Sequence, residues 1–170
     1  MSEILIVGER FNMPGRPAWA DMPAERWYRL ALRLGALRDP SSRLALRRIG
    51  IDADSCQSMN LTKPAPQGVP FDADYARDVA VLVYSDFARR VAQLVCADDW
   101  RIIVLCGRRV ARAFCVPDRQ PWGTSPGGGV VVIPHPSGLN RFWNDSAQVA
   151  ALNRALAPLL TASPGVSTIG

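Results

Sequence analysis

Residues 102–106 read Ile-Ile-Val-Leu-Cys, five apolar positions in a row, with Gly107 directly after them. A strand with one wet face alternates apolar and polar residues, so an unbroken apolar run describes a strand covered on both faces. Two-sided cover is what a parallel sheet requires, because its crossover connections lay helices over both faces. Two more short apolar runs fit the same reading, residues 4–7 and 130–133, and residues 55–61 also read as a strand. Helical patterns lie between them. Pro23 precedes a helix over 24–34 whose Trp27, Leu30, Ala31 and Leu34 share one face. Further helices are expected over 42–48, over 73–95 with Asp72 or Asp74 as cap, over 108–114, and from Asp145 or Ser146 to about residue 160. Strands alternating with helices predict an α/β fold, a three-layer α/β/α sandwich around a central, mostly parallel four-stranded sheet. The chain has 170 residues, enough for one core, so residues 1–160 are read as a single domain and the small, polar residues 161–170 as a flexible tail.

Composition removes several classes. Hydrophobic residues make up 48% and charged residues 21%, a globular balance rather than a disordered one. No apolar run reaches the ~20 residues of a membrane-spanning helix, so no membrane partner is expected. The start of the chain lacks the basic and long apolar stretch of a secretory signal, and a cytoplasmic location is expected. Cys56, Cys96, Cys106 and Cys115 form no C-x-x-C pair, and Cys96 and Cys106 sit beside or within apolar segments. They are read as buried, reduced thiols, with no metal and no cofactor. The net charge is +5, and Lys63 is the only lysine. Nine arginines fall between residues 10 and 48 against three acids, residues 49–100 are acidic, and the rest is basic again. This pattern suits one positive face for phosphates, which arginine binds bidentately, or else solvated helix faces in an arginine-rich chain.

In open parallel sheets ligands bind beyond the carboxyl ends of the strands. Three strand ends here run into unusual loops: Gly8-Glu9-Arg10-Phe11-Asn12, Met59-Asn60-Leu61 and Pro134-His135-Pro136-Ser137. His135 is the sole histidine, held between two prolines that stiffen its loop. An imidazole so presented stabilises negative charge, as a donor when neutral and outright when charged. Ser137, Gly138, Asn140 and Arg141 follow, all suited to a phosphate. Asn60 either terminates its strand or offers a carboxamide that pairs with an amide-like edge such as O4 and N3–H of a pyrimidine. Glu9 either orients water and stabilises a cationic sugar or pairs with Arg10 or Arg16. Phe11 and Trp19 supply a stacking face or plug the core.

These segments resemble a known family. Gly8-Glu9 with Asn12-Met13-Pro14-Gly15-Arg16-Pro17, then Ser58-Met59-Asn60-Leu61, then His135-Pro136-Ser137, are similar in order and separation to the signature regions of the uracil-DNA glycosylase superfamily. Gly107-Arg108-Arg109-Val110-Ala111 is similar to the family's turn into its penultimate helix, and the resemblance covers about residues 3–158. It implies a glycosylase that flips out uracil or a related modified or deaminated pyrimidine and hydrolyses its N-glycosidic bond, with single- or double-stranded DNA as partner. It also implies roles. Glu9 and His135 would be catalytic. Asn60, Gly8, Arg10, Phe11 and Trp19 would bind the base. Ser137, Gly138, Asn140, Arg141 and Lys63 would grip the DNA. The chain departs from the pattern at Phe11, where proline is usual, at Arg10, where Asp or Asn is absent, and at Ala18, where a phenylalanine usually stands one place before Trp19. The iron–sulfur cysteines of some branches are absent. Two other readings stand beside it: a catalytically inactive base- or DNA-binding module of this fold, and a nucleotide-processing α/β enzyme.

Overall fold

The computed structural model describes residues 3–9, 16–37, 39–63 and 85–161. The apolar run that anchors the sequence reading is strand β3, Ile102–Cys106, and all five of its residues are buried. It joins β1 (Ile4–Gly8), β2 (Gln57–Asn60) and β4 (Val130–Ile133) in a four-stranded sheet of order β2-β1-β3-β4, with every pairing parallel.

Successive strand side chains point to opposite faces, and the two faces build two separate cores. Leu5, Val7, Ile103, Leu105 and Val132 pack on α1 (Ala24–Leu34), α3 (Asp86–Ala97) and α4 (Arg108–Ala113). To order these helices in the chain, α2 is Pro40–Arg48 and α5 is Ser146–Thr161. Ile6, Ile102, Val104, Cys106, Val131 and Ile133 pack on α2 and α5. The result is the expected α/β sandwich, with helices over both faces of the sheet. Leu5, Ile6 and Val7 are fully buried, and each such side chain contributes about 1.5–3 kcal/mol.

Side-chain caps set the helix starts. Asp39 accepts from the Ser42 amide at 2.9 Å and starts α2 two residues before the expected position, with Pro40 in the first turn. Ser85 accepts from the Ala88 amide at 3.2 Å and starts α3. The proposed caps Asp72 and Asp74, and the early part of the expected 73–95 helix, lie outside the described residues. Asp145 accepts from the amides of Ala147 and Gln148 at 3.0 and 3.2 Å and starts α5. Thr161, assigned from sequence to the tail, closes α5 instead, its hydroxyl donating to the Ala157 carbonyl at 2.7 Å. Residues 162–170 lie outside the described residues. The strand expected over 55–61 is shorter, because Asp52 caps a 3₁₀ turn at Ala53–Ser55.

The cysteine expectation needs correcting. Only Cys106 is buried, and burial pushes its thiol up to about 12. Cys56 is half-buried, while Cys96 and Cys115 are exposed. The inner face of α3 is Ala88, Val91, Ala92 and Val95. Cys96 is one residue past Val95, about 100° around the helix, and so turns outward. No helix among the described residues is long and apolar enough to cross a membrane.

Candidate active site

A wholly parallel sheet collects the carboxyl ends of its strands on one edge. Gly8 is level with Asn60, Val7 with Leu105, and Cys106 with Ile133. Asn60, Glu9, the Gly107-Arg108-Arg109 turn and the loop bearing His135 therefore all leave from that edge. From β2 to β4 is three strand spacings, roughly 14 Å at about 4.8 Å each. The strand order reverses between β1 and β3, the switch point at which open α/β sheets form their ligand crevice.

Asn60 is buried, 6% exposed. Its carboxamide lies against the Cα of Gly8, so close that a Cβ at position 8 would stand 2.6 Å from Asn60 Oδ1. The β1–β2 pairing runs on past the strands. The Leu61 amide donates to the Gly8 carbonyl at 2.9 Å, and Thr62 donates to the Glu9 carbonyl from both its amide (2.9 Å) and its hydroxyl (2.8 Å). Thr62 is itself buried. Asn60 and Glu9 are thus held by backbone on both sides.

Glu9 is 7% exposed, an unusual place for a carboxylate. Its Oε2 accepts from Arg109 Nη2 at 2.9 Å. Its Oε1 is buried and has no hydrogen-bond partner among the described residues. The sequence reading offered Arg10 or Arg16 as ion-pair partner. Arg10 lies outside the described residues, Arg16 stands over the Trp19 ring at 5.7 Å, and the partner found is Arg109, from the turn after β3.

His135 follows β4, with its Cβ 3.4 Å from where a Cβ on Gly107 would be. Gly107 caps α4 at φ +96°, a conformation that glycine adopts freely. The His135 carbonyl accepts from the Ser137 amide (2.8 Å), Asn140 Nδ2 (3.1 Å) and Trp143 Nε1 (2.8 Å). Helix α2 braces the same loop: Ser42 Oγ donates to the Pro136 carbonyl, and Arg48 Nη1 donates to the Trp143 carbonyl at 2.7 Å. The residue as a whole reaches solvent, yet enough protein crowds the imidazole to disfavour its charged form. That burial lowers its pKa from the ordinary 6.5; Glu9 opposes the shift, Arg109 adds to it, and Asp39 opposes it. A lowered pKa leaves the ring neutral at pH 7.

The other sequence-derived candidates divide. Trp19 is 8% exposed and meets Trp27 edge-on, with ring centres 6.0 Å apart, so it plugs the core beside α1. Phe11, the other ring candidate, lies outside the described residues, as does Arg10. Lys63 ties neighbouring elements together: its Nζ donates to the Ala20 carbonyl at 2.8 Å and stands 4.5 Å from the centre of the Phe87 ring. Asn140 caps the 3₁₀ turn Arg141–Asn144 through its side chain, accepting from the Phe142 amide at 3.1 Å. Its carboxamide is therefore engaged at both ends inside the loop. Ser137 Oγ accepts from the Leu139 amide at 3.2 Å, while Gly138 and Arg141 are exposed. Among the described residues no three His, Cys, Asp or Glu side chains group to hold a metal ion.

Sequence reasoning missed Arg109, Thr62 and Leu139. Arg109 carried a signal, since it stands three residues past a buried strand at the ligand edge, in the first turn of a helix, where the helix dipole disfavours a cation. Leu139 is 94% exposed at the tip of the His135 loop, a large apolar side chain spent on solvent. Compared with known proteins, the chain matches no family model and no curated sequence.

Proposed function

We propose that this protein is a DNA glycosylase of the uracil-DNA glycosylase type, which extrudes uracil or a related modified or deaminated pyrimidine and hydrolyses its N-glycosidic bond. The observation that carries the reading is that a buried carboxylate, a buried carboxamide and a loop-held imidazole leave from three different strand ends on one sheet edge. The chemistry of the three groups divides as this reaction requires. The Asn60 carboxamide, pinned by Gly8, gives one donor and one acceptor to O4 and N3–H of the base. As the bond between N1 and C1′ breaks, its electron pair moves onto the base, and an N–H of neutral His135 donates to O2, where the charge develops. Water adds to C1′, and its proton goes to Oε1 of Glu9, the carboxylate oxygen with no other partner among the described residues. The departing base takes a proton from solvent, leaving free base and an abasic sugar.

Extruding a base costs a few kcal/mol. Exposed Leu139 suits the role of a wedge filling the vacated stack, and exposed Arg141 that of a phosphate contact. The test is a panel of end-labelled oligonucleotides, each with one altered base, incubated with the protein and then cleaved at abasic sites. Release is expected from at least one pyrimidine lesion. His135→Ala and Asn60→Ala should each slow it by about 10²–10³-fold while DNA affinity is kept. No release from any oligonucleotide overturns the proposal. Binding of a free base without cutting then identifies a base-binding module, and DNA-independent turnover of a nucleoside identifies a nucleotide-processing enzyme.

A further inference from the structure

We propose that Arg109 is a positioning residue of this site: by taking up Oε2 of Glu9 across the β1–β3 switch point, it orients the carboxylate so that Oε1 alone is left for water. The inference rests on the glycosylase reading above. Its observations are independent of any family pattern. The pair spans two neighbouring strand ends, at 2.9 Å, and joins a carboxylate whose side chain is 8% exposed to a guanidinium that is 49% exposed.

The geometry of the contact separates positioning from simple stabilisation. Arginine and a carboxylate commonly meet as a two-pronged fork, which satisfies both oxygens and makes the strongest pair. Here one nitrogen meets one oxygen, and the second oxygen stays buried without a hydrogen bond among the described residues. An orphaned buried acceptor lowers stability, and folds seldom tolerate one without a use for it. Arg109 thus fixes which oxygen of Glu9 is turned toward water. The same guanidinium adds positive charge near His135, which favours the neutral imidazole, against Glu9 and Asp39 on the other side.

Because His135 is the only histidine, its ring gives one clean set of NMR signals to titrate in the full chain. Arg109→Gln should raise the midpoint of that titration, since a neighbouring positive charge is gone, and Glu9→Gln should lower it. In single-turnover base release, Arg109→Gln should slow the reaction on the order of 10- to 100-fold. Arg109→Lys, which restores the charge without the planar fork, should recover part of the rate and return the imidazole midpoint toward its original position. An Arg109→Gln protein that merely melts at lower temperature, with release rate and imidazole titration unmoved, overturns the proposal. If the unaltered protein cuts no oligonucleotide, the glycosylase reading falls on its own. The titration then decides alone: an unmoved midpoint refutes a coupled Glu9–Arg109–His135 group, and a raised one supports it.

Discussion

Gly8 shows how one absent atom shapes the site. Its φ is ordinary, so backbone freedom does not explain it. The reason is space, since a Cβ there would stand 2.6 Å from Asn60 Oδ1. Gly8→Ala should therefore leave the sheet in place and turn the Asn60 carboxamide away from the position proposed to read the base. Base release is expected to fall by about 10²-fold or more, the scale of a lost transition-state donor, with a much smaller change in the thermal midpoint. Single-turnover kinetics beside a melting curve check this; equal rates for the two proteins would mean that Asn60 does not read the base. At this scale the sequence singled out Glu9, Asn60 and His135 as candidates by type and by their place at or just past strand ends. It left Trp19 open, as ring or as core, because an aromatic side chain serves either use. Contact with Trp27 at 6.0 Å decided for the core.

At the scale of elements, α2 does more than cover the sheet. Its first turn and its last both brace the loop that carries His135, through Ser42 to Pro136 and Arg48 to Trp143. Ser42 is 5% exposed, and Ser42→Ala leaves the Pro136 carbonyl without that donor. The expected cost is about 1–3 kcal/mol of stability. Amide hydrogen exchange should quicken across residues 135–143 before the rest of the molecule, as local opening of one unit would produce. Exchange measured by mass spectrometry checks this, and uniform protection across the loop would show that Ser42 does not anchor it. The sequence marked α2 as a short helix of uncertain start. It held no hint that the helix grips a loop almost a hundred residues later, because a hydrogen bond to a carbonyl leaves no pattern in residue type.

At the scale of the whole molecule, the net charge of +5 bears on the proposed contact with a phosphate backbone. Arg43, Arg90, Arg101 and Arg112 are drawn into ion pairs with Asp54, Glu25, Glu3 and Asp118, so the number of arginines overstates the charge offered to a partner. Affinity for DNA should still fall steeply with salt, by on the order of 10³-fold between 50 and 200 mM if about six phosphates are contacted. His135→Ala should keep the same slope, since the proposed role of the imidazole is at the base rather than the backbone. Anisotropy titrations over that range test both, and a flat salt response would remove DNA as the partner. The sequence by itself determined the layered α/β architecture and the parallel sheet, because apolar runs with no polar alternation can be satisfied only by burial on both faces. It also fixed which chemical groups leave the strand ends. The tertiary structure alone decided the strand order, and with it that Glu9 and Arg109, a hundred residues apart, face each other across a switch point. Pairing order depends on how whole layers pack, and a long-range ion pair depends on that order. Neither is written in the local spacing of residues.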